Sequence, residues 1–326
     1  MVELLLASEA WPVRGAFTIS RGSRTEVEVI VAEIIDGGYR GRGECVPYAR
    51  YGETPESVRA QIESLETRIT SGLTRESLQD LLPAGAARNA LDCALWDLEA
   101  KRKGKRVWEL AGLGAPEPLT TAYTLSLDTP DAMRAAAKAN AARPLLKLKL
   151  AGPGDLERVR AVRQGAPEAD LIVDANEGWS LEDYAELAPE LARLGVKMIE
   201  QPLPAGDDAA LGEMTRPVPV CADEACHDRA SLPALKGRYD IVNIKLDKTG
   251  GLTEALALKR EAEREGFGVM VGCMLATSLS MAPGVLVAQG AGFVDLDGPL
   301  LLDRDRDHPL RFEGSLVHPP DAALWG

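Results

Sequence analysis

The sequence predicts an α/β protein, a modified (β/α)7β barrel carrying an α+β capping domain. Three observations lead there. Five short apolar runs, LLKLK, LIVDAN, MIEQP, VCADE and IVNIKLD, each end on or just before a charged residue. Those residues, Lys149, Asp174, Glu200, Asp223 and Lys245, are spaced 25, 26, 23 and 22 apart, about one strand, one helix and two loops. The phase also extends outward, with Thr124 25 residues before Lys149, Cys273 28 after Lys245, and Asp297 24 beyond that. Eight strand ends in phase describe a parallel barrel, whose catalytic groups sit at the C-terminal ends of its strands.

At 326 residues the chain suffices for a barrel and a second lobe, and 45% apolar with 27% charged content is that of a globular protein. A net charge of -13 argues against nucleic acid or an anionic membrane as partner. Five cysteines, an odd number, and Glu3 where a signal peptide wants basic residues, predict a cytoplasmic protein. Residues 266–294 carry no charge, but six glycines and Pro283 interrupt them, so a buried strand, loop and helix is expected rather than a membrane span. A homo-oligomer is compatible with all this and specified by none of it.

Residues 1–115 form the capping domain. VEVIVAEI (27–34) is a β-branched strand, and the glycines after Asp36 give a hairpin turn into YRGRGEC. Thr54 and Pro55 open a helix as N-cap and first residue. Leu91, Ala94, Leu95 and Leu98 mark one face of a second helix that Gly104 stops. GLGAPEPL (112–119) is a linker, the barrel occupies 116–300, and the segment 301–326 is expected to pack back on the cap.

Asp174, Glu200 and Asp223 end three successive strands. Hard oxygen donors without His or Cys suit Mg2+ or Mn2+ rather than zinc; capping of the following helices is the simpler role for any one of them. Lys147 and Lys149, two apart, share a strand face, so each is expected to lose its proton more easily; the plainer alternative is a solvated strand end. Lys245, two strands past Glu200, faces them from the far side of the acids. One lysine on each face of a carbon could remove a proton and return one to the opposite side, inverting the centre. A divalent cation would hold the enediolate formed when a proton leaves a carbon α to a carboxylate. Asp295 and Asp297, paired in the eighth strand, serve either a cationic group of the substrate or backbone groups of their own loop.

These residues resemble the muconate-lactonising subgroup of the enolase superfamily, whose sites use a Lys or His base with Mg2+. KLK at 147–149, the three acids and KLDKTGG at 245–251 carry the resemblance, and DLDGP at 295–299 points to the dipeptide epimerases. PAGAARNALDCALWDL and VNIKLDKTGGLTEALAL are similar to those of L-Ala-D/L-Glu epimerases. The resemblance implies Lys149 and Lys245 as acid/base catalysts, Lys147 as an electrostatic aid, and Asp174, Glu200 and Asp223 as Mg2+ ligands. It implies Asp295 and Asp297 at the α-ammonium of a dipeptide, with Thr124, Cys273 and Leu275 along the substrate. It makes SRGSR (20–24) a closing loop, from which Arg21 or Arg24 meets the glutamate side chain. The expected role is murein peptide recycling. The alternatives are a dipeptide epimerase of other specificity, a muconate cycloisomerase or o-succinylbenzoate synthase, and, outside the family, a Schiff-base aldolase or a peptide-binding protein. Cys221, Cys226 and His227 fit no zinc pattern, Trp96 and Met270 read as core, and Asp247, Lys248 and Gly250–Gly251 read as a strand-to-helix turn rather than a phosphate loop.

Overall fold

The computed structural model describes residues 2–326. Glu3–Ile19 (β1), Gly22–Asp36 (β2) and Tyr39–Cys45 (β3) form an antiparallel meander. Asp36 pairs with Tyr39 and both intervening glycines take positive φ, 56° and 87°, as a two-residue primed turn requires. The expected closing loop SRGSR forms the turn of a long hairpin, with Ile19 opposite Gly22. Sequence reading missed β1 because Pro12 and Gly15 look like strand breakers; a register shift between Pro12 and Phe17 absorbs them.

Helices Pro55–Glu63 (α1), Arg75–Leu81 (α2) and Ala86–Lys103 (α3) cover this sheet. Thr54 caps α1 by accepting from Ser57 N, and Gly104 ends α3 in the left-handed region. α3 presses directly on β3. A Cβ on Gly43 would stand 2.1 Å from Ala90 O, and one on Gly41 2.2 Å from Ala94 O, so the alternate glycines of YRGRGEC are what let the helix approach. Leu91, Ala94, Leu95 and Leu98 are buried in the core beneath.

Eight parallel strands follow in sequence order, Tyr123–Leu125 (β4), Leu145–Lys149 (β5), Asp170–Asp174 (β6), Val196–Glu200 (β7), Val220–Ala222 (β8), Ile241–Ile244 (β9), Gly268–Val271 (β10) and Phe293–Val294 (β11). The two edges of the sheet meet where Ala122 N donates to Val294 O (2.8 Å) and Leu296 N to Thr121 Oγ1 (2.8 Å). Helices Pro130–Ala139 (α4), Asp155–Gly165 (α5), Leu181–Arg193 (α6), Leu252–Arg264 (α7) and Ser278–Val287 (α8) cover it outside. The even strand–helix repeat breaks at the two shortest spacings. After β7 there is only the 3-10 turn Ala209–Gly212, and after β8 a 3-10 turn and the single helical turn Leu232–Leu235. Pro202, Pro204, Pro217 and Pro219 crowd the first of these connections, each removing a donor that a helix would need. The uncharged stretch becomes β10, a loop and α8, and no helix of the described residues is long and apolar enough to cross a membrane.

The chain's last residues reach the cap, where Trp325 Nε1 donates to Cys93 O (3.1 Å) and Gly326 N to Asp97 Oδ1 (2.7 Å). The main junction between the lobes is the KLDKTGG segment. α3 presents Arg88, Asp92 and Trp96, four residues apart, to residues 249–253. Arg88 Nη2 donates to Thr249 O (2.7 Å), while Thr253 Oγ1 donates to Asp92 Oδ1 (2.6 Å) and accepts from Trp96 Nε1 (3.0 Å). Gly251 sits at φ 109°, and a Cβ there would stand 2.5 Å from Asp92 Cβ. Gly251→Ala therefore combines backbone strain with overpacking and should destabilise the fold by roughly 2–4 kcal/mol. A urea titration would show the midpoint falling with little change in slope; an unchanged midpoint would disprove this account of the junction.

Candidate active site

Lys149, Asp174 and Glu200 are the last residues of β5, β6 and β7. Asp223, Lys245 and Cys273 lie one or two residues beyond β8, β9 and β10, Thr124 lies within β4, and Asp295 and Asp297 follow the short β11. All of the expected charged residues of the barrel converge on its mouth. Lys149 Nζ donates to Asp174 Oδ2 (2.6 Å) and Lys245 Nζ to Asp223 Oδ2 (2.6 Å). Lys147 Nζ donates to Asp295 Oδ2 (2.7 Å) and stands 2.7 Å from Glu200 Oε2 and 3.4 Å from Asp174 Oδ2. Asp297 Oδ2 accepts from Thr124 N (2.6 Å). Asp295 Oδ1 is buried with no hydrogen-bond partner among the described residues.

The electrostatics differ from the expectation for Lys147. Burial pulls its pKa down, but Asp295, Glu200 and Asp174 more than offset this and hold it well above the ordinary lysine value. Three acids stand 2.7–3.4 Å from the Lys147 ammonium, close enough to set the direction of its shift. Lys245 behaves alike: burial lowers it, Asp223 and Glu200 raise it further. Burial works against an ionised Asp174, yet Lys149 and Lys147 bring it down to about 2. Burial pushes Glu200 up, and the nearby Asp174 adds to this, to about 7. Burial and Asp295 together push Asp297 to about 7.

Asp174, Glu200 and Asp223 offer oxygens that all lie within 4.8 Å of one another. Glu200 Oε2 accepts no hydrogen bond, since Lys147 stands off the bonding direction. Three clustered carboxylates, one of them crowded toward neutrality and holding an unbonded oxygen, fit a hard divalent cation such as Mg2+.

Behind these groups stand residues that sequence reading passed over. Lys248, read as part of a turn, is fully buried and donates to Asp223 Oδ1 (2.6 Å), Asp223 O (2.5 Å) and Asn243 O (3.0 Å). Asn243 Nδ2 donates to Glu200 Oε1 (2.8 Å), and Gln201 Oε1 accepts from Asp223 N (2.9 Å). Lys248 lies one helical turn past Lys245, which was the available signal; nothing local marks Asn243 or Gln201. Asn176, Glu177 and Gln201 are the described non-glycine residues with positive φ, at 45°, 66° and 34°, and all follow Asp174 or Glu200. His227 Nε2 lies 3.1 Å from Glu224 O, and its ring stands edge-on to Tyr51.

Over the mouth lies a cleft with about 70 Å3 of water-accessible space. Lys149, Asp223, Lys245, Cys273 and Leu275 line it from the barrel, and Phe17, Arg21, Arg24, Tyr48 and Tyr51 from the cap. Arg21 Nη2 donates to Glu224 Oε1 (2.7 Å) and Tyr48 Oη (3.0 Å), and its Nη1 to Asn176 O (2.9 Å). Arg24 stacks over the Tyr48 ring at 5.6 Å and has no ion-pair or hydrogen-bond partner among the described residues.

Residues 1–112 match the mandelate racemase/muconate lactonizing enzyme N-terminal domain, and residues 131–323 the enolase C-terminal domain-like family. The chain belongs to the mandelate racemase/muconate lactonizing enzyme family of the enolase superfamily. Within this family it is 52% identical over 312 residues to the L-Ala-D/L-Glu epimerase of Escherichia coli, covering 95% of this chain and 97% of that one. It superposes with a TM-score of 0.99 on an enolase family member from Agrobacterium tumefaciens with homology to dipeptide epimerases. That structure holds sodium and L-Ala-L-Glu, at 56% identity and full coverage of both chains. A dipeptide epimerase from Cytophaga hutchinsonii, complexed with Mg and D-Ala-L-Val, matches at TM-score 0.91 and 28% identity, covering 97% of this chain and 92% of that one.

Protons would compete with Mg2+ for Glu200, whose carboxyl burial and Asp174 push to about 7, whereas Asp174 and Asp223 are held low. Mg2+ affinity should therefore rise about tenfold per pH unit up to about pH 7 and level off above. Isothermal titration calorimetry at several pH values measures this, and Glu200→Gln should remove the slope. Affinity that is flat below pH 7 would refute the assignment of Glu200.

Proposed function

We propose that the protein inverts the α-carbon of the C-terminal residue in dipeptides of the L-Ala-D/L-Glu type. The observation that carries this reading is the placement of Lys149 and Lys245. They stand at the ends of β5 and β9, four strands apart in an eight-stranded barrel, so they face each other across the mouth and line the same cleft. A carbon lying between them presents one face to each Nζ. A lysine that starts neutral takes the α-proton, and the opposite ammonium gives one to the other face. The two have then exchanged protonation states and are set for the reverse reaction.

Asp174, Glu200 and Asp223 would hold Mg2+, and Lys147 adds a fixed positive charge among them. When bound, Mg2+ would supply positive charge to the substrate carboxylate as the α-proton leaves. Asp295 and Asp297 receive the α-ammonium: two buried acids, one pushed to about 7 by burial and its neighbour, favour an incoming cation. Thr124, Cys273 and Leu275 wall the dipeptide. Of the two arginines, Arg24 is free to meet the glutamate side chain, since Arg21 already serves two carboxylates. The names of the Escherichia coli relative and of the ligand in the Agrobacterium structure support this substrate class. Murein peptide recycling follows as the proposed setting.

In D2O with Mg2+, proton NMR of L-Ala-L-Glu should show loss of the glutamate α-proton and growth of the L-Ala-D-Glu diastereomer. Lys149→Met and Lys245→Met should each lower epimerisation by about 10²–10⁴-fold, and each should keep deuterium exchange with one diastereomer only, opposite for the two variants. Exchange of both diastereomers by either variant would contradict the two-base arrangement.

A further inference from the structure

The tip of the β1–β2 hairpin is strapped across the barrel mouth from both sides. On one side Leu127 N donates to Thr18 O (3.0 Å), and Thr18 N to Ser126 Oγ (3.4 Å), just past β4. On the other, Ser20 Oγ and Arg21 Nη1 both donate to Asn176 O, at 3.0 and 2.9 Å. The Arg21 guanidinium also reaches Glu224 Oε1 at 2.7 Å and Glu177 Oε2 at 3.2 Å. Arg21 keeps 28% of its side chain exposed, whereas Glu224 keeps 1% and Glu177 9%. The hairpin thus places its cation onto two carboxylates buried in the barrel.

Those contacts lead directly to the charged core of the site. Asn176, whose carbonyl receives Ser20 and Arg21, is held at φ 45° and donates its own N–H to Asp174 Oδ1 (2.9 Å). Glu224 directly follows Asp223. Glu177 is further fixed by Arg50, through two bonds of 2.7 Å, and by Ala205 N (2.8 Å). The barrel partners of Arg21 are therefore residues adjoining two of the three clustered acids, and they engage both of its terminal nitrogens. Arg24, three residues on, lacks such partners and faces the cleft.

From this division we propose that Arg21 is a positioning residue that latches the hairpin tip shut over residues 176–177 and 224, leaving Arg24 to contact the substrate. This rests on the epimerase reading for its kinetic part only. The latch closes the cleft and holds the Asn176 turn that supports Asp174. Its loss should impair every dipeptide alike rather than those with an acidic side chain.

Hydrogen exchange of residues 16–24, read by mass spectrometry on the metal-free protein, tests the latch directly. Arg21→Met should accelerate exchange there on the order of tenfold, the loss of one set of charge-assisted bonds. Adding Glu224→Gln to it should accelerate exchange little more, because both act through one contact. In kinetics, Arg21→Met should lower kcat/KM by similar factors for L-Ala-L-Glu and L-Ala-L-Ala, whereas Arg24→Met should penalise L-Ala-L-Glu selectively. Unchanged exchange in Arg21→Met, or a selective loss of L-Ala-L-Glu in that variant, would overturn the proposal. If the wild type epimerises neither dipeptide, the functional reading fails while the exchange comparison still decides the latch.

Discussion

Burying an ion is costly unless close opposite charges and hydrogen bonds offset the lost water. The mouth of this barrel buries Lys147, Lys149, Lys245 and Lys248 together with Asp174, Glu200, Asp223, Asp295 and Asp297. Every ammonium there touches at least one carboxylate, and the sum leaves one negative charge in excess. Burial, with Asp174 beside the one and Asp295 beside the other, pushes Glu200 and Asp297 each to about 7. A cation among the acids and an ammonium at the Asp295–Asp297 pair would each offset the excess. The site is built with charges unbalanced in the direction that favours these two ligands.

Holding such a cluster in place requires a rigid backing, and the structure shows where the rigidity comes from. Lys248 ties the Asp223 side chain and carbonyl to the Asn243 carbonyl, and Asn243 in turn orients Glu200. Gln201 receives the Asp223 and Ala225 backbone N–H groups and donates to Tyr239 Oη. Left-handed φ at Asn176, Glu177 and Gln201 is strain that this bonding over-determines. Apolar strand interiors beneath, such as Leu146, Leu148 and Val173, leave no room for rearrangement.

Much of this was legible in the sequence because period and chemistry coincide. Strands that are buried on both faces read as apolar runs, and their last residues are where function sits, so phase alone located Lys149, Asp174, Glu200, Asp223 and Lys245. Local rules also found the Thr54 cap, the Gly37–Gly38 turn and the Gly104 stop. What escaped was non-local. β1 looks broken until its partner strand shows that a bulge can take up Pro12 and Gly15. The proline-dense connection after β7 keeps the period without a helix. Lys147 seemed fated to a lowered pKa because only its lysine neighbour is close in sequence, whereas Asp295, 148 residues away, sets the sign. The partner of Lys248 is likewise visible only in space.

The KLDKTGG segment shows how the two lobes divide their tasks. In seven residues it places Lys245 at the cleft, Asp247 under Val46 N and Asn89 Nδ2 of the cap, Lys248 on Asp223, and Thr249 to Gly251 against α3. The end of β9 that carries Lys245 and the seat of the cap are thus one continuous segment. Tyr48 and Tyr51, carried by the cap, inherit their position over the cleft from that seat. The opposite rim is closed by the β1–β2 hairpin, whose tip meets the barrel through polar contacts at Thr18, Ser20 and Arg21 while Phe17 packs on the core. On the proposed reading, Arg24 of that hairpin could change without disturbing the lysines and acids, since it bonds to none of them, and chemistry and selectivity would then rest on different elements. A family built in this way can keep one proton transfer while it varies the side chain on which the transfer is performed.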